Sequence, residues 1–577
     1  GEFAGLDRYE ARAKVVERLR EMGDLGGEKP HDMVIGRCDR CGTVVEPRLS
    51  VQWFIRVKPL ADRALASVRE GRTRILPAHF EKVFAHWMEN IHDWAVGRQL
   101  WWGHRIPAWY CPDGHVTVSD AEAGPDACAE CGRPAAELTQ ETDIFDTWFS
   151  SGLWPFSTLG WPDTTPDLER FYPTQVMETA YEILFFWVAR MMMLGLFLTD
   201  VEPFETVYLH GIVRDPYGQK MSKTKGNVVD PLETIAEIGA DALRVALVSG
   251  NAPGVDQRLT EAKVTGGRNF TNKMWNAARF VLGARPEPAA EPAGEPSLAE
   301  RWIRSRLAAT VERATRQLDA LDLAGYTATV HDFAWSEFCD WYLEMAKVEL
   351  RREDASPGER TRVWYATAEA LGELLRLLHP LMPFVSEAIW KPLGEAAPGA
   401  TRGEPLLIRA AWPAAGATDA AADRDVEALR ELIGRVRDQR TAAGIAAGAW
   451  LPLHVVPTDA AAQGALTAGA AYVQALARAR PLELADAKAT RPQSAASSAI
   501  GTFWIGSGAG EADGAAARAA ARREELEGQV ARLRALLANQ GFLERAPAAV
   551  VERERGRLAD FEGQLAALGE TGQGQDR

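Results

Sequence analysis

The sequence predicts a multidomain protein that is α/β in its first half and mostly α-helical in its second half. Residues 141–250 alternate strand-like and helix-like runs, which is typical of a parallel sheet with crossover helices. Residues 298–393 carry apolar side chains at helical spacing, which predicts a helix bundle. From residue 526 onward, leucines recur at steps of three and four, which predicts two heptad helices paired as an antiparallel coiled coil.

Composition excludes few classes of function. Hydrophobic residues make up 46% and charged residues 25% of the 577 positions, as in ordinary soluble proteins. A net charge of -15 argues against general nucleic-acid binding but leaves room for a local basic groove. The longest apolar run, Ile183 to Leu198, is short for a membrane span and contains Arg190, so we expect a buried helix and no membrane contact. Cysteine pairs without a disulfide pattern, and no basic-then-apolar leader, predict a cytoplasmic location.

Shifts in composition divide the chain further. A helix from Asp7 to Met22 opens it, a Trp-rich stretch follows, and residues 111–140 are polar like a small inserted module. A Pro-, Ala- and Glu-rich stretch from Arg285 to Ser297 is a linker. The predicted segments are 1–35, 36–255, 256–297, 298–415, a small α/β segment at 416–510, and the helical tail at 511–577, which breaks at Asn539–Gly541 and restarts near Pro547.

Two cysteine motifs lie in the first half. Cys111, His115, Cys128 and Cys131 form C-x3-H-x12-C-x2-C, two close ligand pairs that predict a tetrahedral zinc knuckle, with free thiols as the alternative. Because all four positions are filled by the protein, the zinc would support folding rather than catalysis. Cys38 and Cys41 have no second pair, so we favour a reduced loop over half of a metal site completed by sequence outside this chain. Cys339 is predicted to lie in the core.

A lysine-bearing run, Asp215 to Asn227, contains Lys220, Ser222 and Lys223 between a strand-like and a helix-like segment. Lysine ammonium groups on a loop can neutralise a polyphosphate as its negative charge shifts onto the leaving group. Alone, Lys-x-x-Lys is more often a solvated surface turn. The surrounding motifs therefore decide its meaning.

The run resembles the KMSKS signature of class I aminoacyl-tRNA synthetases, with Thr224 in place of the last Ser. Further runs resemble valyl-tRNA synthetases in the same order and cover nearly the whole chain. They are Trp101–Pro107, Asp143–Ser151, Tyr181–Arg190, His210–Gly211, Arg268–Asn276, Glu337–Tyr342 and Gly541–Phe542.

The resemblance implies roles for individual residues. Trp148, Ile183 and Trp187 would line an apolar pocket for the valine side chain, with plain core packing as the alternative. Glu182 stands where the family places an acid that holds the adenylate ribose, in an Ala-Tyr-Glu run where family sequences usually have Gly-Tyr-Asp.

For the nucleotide, the resemblance implies that His210 and Gly211 approach adenine. Lys220, Ser222 and above all Lys223 would bind the phosphates during adenylate formation. The whole enzyme would join valine to tRNA(Val) with ATP and Mg²⁺, as a cytoplasmic monomer. It would also hydrolyse mischarged threonine, because an apolar pocket rejects this hydroxyl isostere poorly, as is known for this family.

One expected motif is missing. The sequence has no His-x-Gly-His signature, so by resemblance it begins in the editing insertion, of which residues 1–35 are the end, and lacks the first half of the Rossmann fold. The predicted fold is thus a partial class I Rossmann domain with a zinc module, a helical anticodon-binding bundle and a coiled-coil tRNA-binding arm. We expect the chain alone to be inactive. The alternatives are an isoleucyl- or leucyl-type synthetase and a non-catalytic tRNA-binding protein derived from a synthetase.

Overall fold

The computed structural model describes residues 1–38, 41–46, 49–222, 226–287, 290–486, 488–506, 511–539, 551–552 and 554–562. The α-helices are α1 Arg8–Met22, α2 Lys58–Arg69, α3 His79–Glu89, α4 Thr147–Ser157, α5 Pro166–Phe171, α6 Ala189–Thr199, α7 Pro231–Ile238, α8 Ala240–Val248, α9 Glu261–Gly283, α10 Leu298–Asp319, α11 Leu323–Asp332, α12 Leu343–Leu350, α13 Pro357–Leu378, α14 Pro383–Ala396, α15 Pro398–Thr401, α16 Ala420–Ala442, α17 Ala460–Ala468, α18 Ala470–Ala477 and α19 Glu511–Ala538. The strands are β1 Phe54–Ile55, β2 Arg74–Leu76, β3 Trp94–Ala95, β4 Gly97–Arg98, β5 Ala108–Tyr110, β6 Val116–Val118, β7 Thr139–Gln140, β8 Ile144–Phe145, β9 Thr174–Ala180, β10 Phe204–His210, β11 Val213–Arg214, β12 Gln257–Arg258, β13 Leu451–Pro457, β14 Ala479–Leu484, β15 Ala496–Ser498 and β16 Gly501–Ile505.

The chain forms two compact units that interleave along the sequence. The first unit consists of residues 1–70, 84–173 and 185–203. The second unit consists of residues 71–83, 174–184 and 204–577. The chain therefore passes between the units at five points, after residues 70, 83, 173, 184 and 203.

In the first unit, α6 packs against α2 and α4. Gly152 of α4 permits a close approach, because a Cβ there would lie 2.6 Å from Leu194 of α6. Short antiparallel ladders join β1 to β3 and β4 to β8, and a three-stranded sheet has the order β6-β5-β7. The predicted helix at Asp7 to Met22 is confirmed as α1, capped by Asp7, although none of its residues is buried.

The second unit begins with a parallel three-stranded sheet of order β2-β10-β9. Strand β10 is central and is buried continuously from Thr206 to Leu209, as expected of a parallel strand covered on both faces. Thr206, Val207 and Tyr208 pair with β2, and β9 pairs along the length of β10. The sheet confirms the predicted parallel α/β arrangement.

The run predicted as one buried helix, Ile183 to Leu198, is less regular. It comprises a 3-10 turn at Tyr181–Ile183, a π-helical stretch at Leu184–Val188 and then α6. In the described part of the chain, Tyr181–Thr199 is the one helical stretch long and apolar enough to cross a membrane by length and composition. Half of its most apolar window is buried inside the protein, which fits a core helix better than a span.

Helices α9 to α16 surround the largest core. Trp302, Trp364 and Trp390 are almost completely buried in it. Two of these helices start with a capping box, Ser297 with Glu300 in α10 and Ser356 with Glu359 in α13.

A four-stranded sheet of order β14-β13-β16-β15 follows, with α16, α17 and α18 packed against its strands or each other. Beyond it, α19 ends at Ala538, and residues 551–552 and 554–562 are also helical. Arg534 and Glu562 form an ion pair at 2.6 Å. Pro547, Leu565 and Leu568 lie outside the described residues, so the helical hairpin stays a prediction.

Candidate functional site

The ends of two parallel strands define a candidate site in the second unit. Ala180 of β9 and His210 of β10 lie opposite each other in the register, so both strands end at the same edge. Tyr181 and Glu182 follow the first strand, and Gly211 follows the second. The carboxyl ends of parallel strands are where open α/β sheets bind ligands.

Asp256 holds this edge together. Its Oδ1 accepts hydrogen bonds from the Ile212 amide at 2.8 Å and the Tyr181 hydroxyl at 3.1 Å, and its Oδ2 accepts one from Arg214 Nε at 2.5 Å. Partial burial raises the pKa of Asp256, but the bonds from Ile212, Arg214 and Tyr181 outweigh it and leave the pKa below its ordinary value. The carboxylate is therefore a fixed negative anchor.

Gly211 lets the backbone pass close to the segment that carries Asp256. A Cβ at this position would lie 1.9 Å from the carbonyl oxygen of Val255, so no larger residue fits without moving the chain. His210 is held on both sides, with Nδ1 2.7 Å from the Gly211 carbonyl oxygen and Nε2 3.1 Å from Glu178 Oε1.

The lysine loop is closed at its base by two polar side chains. Asp215 is 5% exposed, and its carboxylate accepts three hydrogen bonds. The donors are the backbone amides of Tyr217 at 3.0 Å and Gln219 at 2.7 Å, and Asn227 Nδ2 at 3.0 Å. The Asn227 bond is the largest cause that lowers the pKa of Asp215. Asn227 also accepts the Ser222 amide at 2.9 Å and donates to the Lys220 carbonyl at 3.3 Å.

Two further contacts position the loop. Met221 packs against a small apolar cluster formed by Leu243, Ala246 and Leu259. Lys220 Nζ lies 2.8 and 3.2 Å from the two carboxylate oxygens of Glu182. Both of these side chains are well exposed, at 58% and 41%, so the pair is weak and an incoming ligand can replace it.

In the first unit, Asp146 organises the start of α4. Its Oδ1 accepts the Trp148 amide at 3.3 Å, and its Oδ2 accepts Trp94 Nε1 at 3.0 Å and Arg98 Nη2 at 2.7 Å. Arg190 stacks 3.9 Å above the Trp94 ring. Burial lowers the pKa of Arg190, although the nearby Asp146 carboxylate opposes this.

The predicted valine-pocket residues are each half-buried. Trp148 and Trp187 belong to the first unit, where the Trp187 ring lies 6.3 Å from that of Trp154. Ile183 belongs to the second unit. Their grouping in one pocket stays a prediction, and the predicted phosphate ligand Lys223 lies outside the described residues.

The four predicted zinc ligands lie together in the first unit. All four ligand atoms of Cys111, His115, Cys128 and Cys131 lie within 4.8 Å of one another. Cys111 Sγ is 3.4 Å from His115 Nδ1 and 3.9 Å from Cys131 Sγ. Thiolates at about 2.3 Å from a tetrahedral zinc would stand about 3.8 Å apart, so the cluster has the size that zinc requires.

Tight turns place these ligands. The Gly114 amide donates to the Cys111 carbonyl and the Gly132 amide to the Cys128 carbonyl, both at 2.9 Å, and both glycines have positive φ, at 84° and 70°. Hydrogen bonds from the backbone of residues 131 and 130 lower the pKa of the Cys128 thiol to about 6, which favours the metal-binding thiolate.

The Cys38 pair has the same turn. The Gly42 amide donates to the Cys38 carbonyl at 2.9 Å, and Gly42 has a φ of 70°. Hydrogen bonding by Thr43 is the main cause that lowers the pKa of Cys41. Within the described residues no third ligand joins this pair, and the reduced loop favoured for it stays a prediction.

Comparison with known proteins finds tRNA synthetase sequence models in three regions of the chain. The model described as tRNA synthetases class I (I, L, M and V) matches residues 8–259, that of the anticodon-binding domain of tRNA ligase matches residues 300–455, and that of the valyl tRNA synthetase tRNA binding arm matches residues 517–573. The chain is thus similar to class I tRNA synthetases in its first half and to the valyl-tRNA synthetase arm near its end. The fold expected from a class I catalytic domain and an anticodon-binding domain is thereby confirmed.

Relatives match along nearly the whole chain. Valine–tRNA ligases of Dehalococcoides mccartyi strain CBDB1 and Geobacter sulfurreducens are 42% and 43% identical over 97% of it. The chain spans 63% of the length of each of these relatives. Among solved structures, Mycobacterium tuberculosis methionyl-tRNA synthetase in complex with methionyl-adenylate has a TM-score of 0.50 at 20% identity, covering 67% of this chain and 71% of that one, which is a likeness of fold alone.

Within this synthetase fold, sequence reasoning missed the residues that brace the site. Asp215 could have been found, because Asp-Pro-Tyr-Gly is a strong turn signal. Asn227 ends the lysine run, and nothing in the sequence around it indicates that its side chain bonds back to the loop. Asp256 carries no local signal, because its partner Tyr181 is 75 residues away.

Proposed function

We propose that this chain provides the lysine loop, part of the substrate site and the tRNA-binding parts of a valine–tRNA ligase, which forms valyl-adenylate and transfers valine to tRNA(Val). The observation that carries the proposal is the pairing of Glu182 with Lys220 at 2.8 Å beside the ends of two parallel strands. A carboxylate suits ribose hydroxyls and an ammonium suits phosphate, so a nucleotide can replace this pair and satisfy both groups.

Each site residue then has a role in adenylate formation. Glu182 holds the ribose, and His210 and Gly211 border the adenine. Lys220 and Lys223 neutralise the phosphates of the Mg²⁺-bound ATP, and Ser222 hydrogen-bonds to them, as a valine carboxylate oxygen attacks the α-phosphorus and pyrophosphate leaves. Asp256 and Asn227 act as positioning residues, because they fix the strand edge and the base of the loop.

Valine selection is assigned to Trp148, Ile183 and Trp187, and threonine editing to the portion that the longer relatives possess beyond the aligned region. Zn²⁺ would be held by Cys111, His115, Cys128 and Cys131, where the spacing of the ligand atoms fits it, and would stabilise that module. The enzyme would act in the cytoplasm as a monomer with tRNA(Val) as its RNA partner.

The test measures valine-dependent exchange of pyrophosphate into ATP. The chain is assayed alone and after joining it to the portion of the Geobacter sulfurreducens relative that lies outside the aligned region. We expect no exchange from the chain alone and valine-dependent exchange from the joined protein. Glu182→Gln and Lys220→Ala should each lower the exchange rate at least tenfold, while Lys14→Ala, another exposed lysine in an ion pair, should not.

The amino acid that supports pyrophosphate exchange distinguishes this proposal from its alternatives. Isoleucine- or leucine-dependent exchange by the joined protein would assign it to another synthetase. Absence of exchange with all three amino acids, from a joined protein that is folded by circular dichroism, would leave only the non-catalytic tRNA-binding function.

A further inference from the structure

The four-stranded sheet of the small α/β segment has one face covered by helices and a second face on which several side chains reach solvent. Along β13, Leu451, Leu453 and Val455 point into the core, where α17 and neighbouring helices pack. On the other face, Pro452 and His454 are half-buried, whereas Val456 is only 7% exposed. We call this side the open face, because its end at Trp450 reaches solvent.

The open face carries aromatic rings. Trp450, directly before β13, is 42% exposed. His454 is paired across the sheet with Trp504, and their rings stack at 5.3 Å with an interplanar angle of 14°, although Trp504 itself is only 8% exposed. Trp450 is therefore the indole on this face that a ligand can reach.

Two arginines stand beside these rings. The guanidinium carbons of Arg478 and Arg480 lie 5.1 and 4.9 Å from the centre of the Trp450 ring. Both side chains are exposed, and in the described part of the chain neither has a carboxylate at ion-pair distance. Within the described strands β13 to β16 the one acid is Glu483, whose carboxylate lies 3.0 Å from His454 Nδ1.

The patch is held in place from beneath. Arg440, 6% exposed, donates to the carbonyl oxygens of Ala446 at 3.1 Å, Ala449 at 2.7 Å and Arg478 at 3.2 Å. These bonds tie the loop before Trp450 to the start of β14. The two arginines and the indole are therefore positioned together by the fold before any ligand arrives.

We propose that the open face is an RNA-docking surface, on which a base stacks against Trp450 and the backbone phosphates contact Arg478 and Arg480. An exposed aromatic ring with adjacent arginines is the chemistry that unpaired RNA segments select. The positive charge of Arg478 and Arg480 also favours RNA, because the chain as a whole has a net charge of -15 and a local pair of cations attracts phosphates. The inference rests on the proposed function only in taking tRNA as the RNA.

The test is the affinity of the chain for a fluorescently labelled tRNA(Val) transcript, measured by anisotropy at several salt concentrations. Arg478→Asn combined with Arg480→Gln should weaken binding at least tenfold and reduce the slope of log affinity against log salt by about 1.4–1.8, since each lost phosphate contact contributes about 0.7–0.9. Asparagine suits position 478, where φ is 52°. Trp450→Ala should weaken binding with little change in slope, and Trp450→Phe should restore much of it.

Arg435→Gln is the matched control, because Arg435 is exposed on α16 of the same segment but is paired with Glu431. It should bind like the unchanged chain. A second measurement crosslinks the transcript, made with 4-thiouridine, to the protein, and we expect modified peptides containing residue 450 or residues 478–480. Unchanged affinity in the double variant, crosslinks confined to other peptides, or no RNA binding by the unchanged chain would each overturn the inference. None of these results bears on valine-dependent exchange, which tests the proposed function separately.

Discussion

At the scale of single residues, Asp256 connects segments that the sequence keeps far apart. It binds Tyr181 after β9, Ile212 after β10 and Arg214 at the start of the lysine loop. Replacing its charge while keeping its shape should therefore loosen the strand edge without removing a core side chain.

Asp256→Asn should raise the rate of amide hydrogen exchange at Ile212 about tenfold or more. The substitution weakens the charge-assisted hydrogen bonds to residue 256, which contribute about 1–3 kcal/mol to local stability. A loss of about 1.4 kcal/mol raises the exchange rate tenfold. Exchange followed by mass spectrometry on peptides covering residues 211–220 measures this directly. The exposed Asp163→Asn variant serves as control and should leave these peptides unchanged; equal exchange in both variants would contradict the anchoring role.

Asp256 also predicts a pH dependence. Its pKa is lower in the folded protein than in the unfolded chain, so its stabilisation is fully present above the unfolded value of about 3.9 and is lost as pH falls through the folded value. Asp215 acts in the same direction. We expect protection of the 211–220 peptides to fall below about pH 4, and to fall less steeply in Asp256→Asn. An identical acid profile in the two proteins would contradict the assignment.

At the scale of elements, side chains of α8 hydrogen-bond to the backbone at the junction between α13 and α14. Asp241, 4% exposed, accepts the amides of Phe384 and Val385 at 3.2 and 2.7 Å, at the start of α14. Arg244 donates to the carbonyls of Pro380 and Leu381 at 2.9 and 3.2 Å, after the end of α13. Each charge thus faces the helix end of opposite partial charge.

Asp241→Ala should destabilise the helical part by about 1–3 kcal/mol, because two buried amides lose their acceptor. At about 2–4 °C per kcal/mol for a body of this size, thermal unfolding followed by circular dichroism resolves the change. Asp438→Asn, on the exposed side of α16, should melt like the unchanged chain. If Asp241→Ala melts within about 1 °C of that control, the loss of stability is below the expected value of about 1–3 kcal/mol, since each kcal/mol lowers the melting temperature by about 2–4 °C. That result would contradict the helix-capping role.

The cysteine cluster predicts about one zinc ion per chain after expression in zinc-containing medium. Cys128→Ser should lose most of the metal, since a hydroxyl replaces a thiolate ligand. Elemental analysis of the purified protein checks this, with Cys41→Ser, outside the cluster, as the variant expected to keep the metal. Zinc retained in Cys128→Ser, or absent from the unchanged chain, would contradict the site.

Local chemistry could be predicted from the sequence, whereas long-range support could not. The cysteine spacing predicts two tight turns, and in the structure these turns bring the four ligands together. The lysine run follows a strand, as its sequence predicts. By contrast, the π-helical stretch at Leu184–Val188 depends on tertiary packing, and no periodicity marks it. The partners of Asp256 and the open face of the small sheet likewise depend on pairings across tens of residues.

At the scale of the whole molecule, the two units cannot be separated by one cut. Strands β2 and β9 each pair only with β10 among the described strands. A fragment of residues 1–203 therefore contains two strands of the parallel sheet without their shared neighbour. Unpaired parallel strands expose backbone groups and apolar faces to other chains.

We expect the 1–203 fragment to aggregate when it is expressed alone. The fragment 239–506, which retains α8 to α18 and their shared core, should be monomeric and should unfold cooperatively. Size-exclusion chromatography and circular dichroism compare the two. A monodisperse 1–203 fragment with a cooperative melt would show that β10 is dispensable.

Because β10 is the central strand, β2 is synthesised well before the strand with which it pairs. Thr73, just before β2, donates its hydroxyl to the Phe204 carbonyl, 131 residues later in the chain. At about 5–20 residues per second, a ribosome needs roughly 7–26 s to make that stretch. During this interval the nascent strand around Ile75 is without its neighbour, and it is then that the polypeptide is most exposed to chaperones and to other nascent chains.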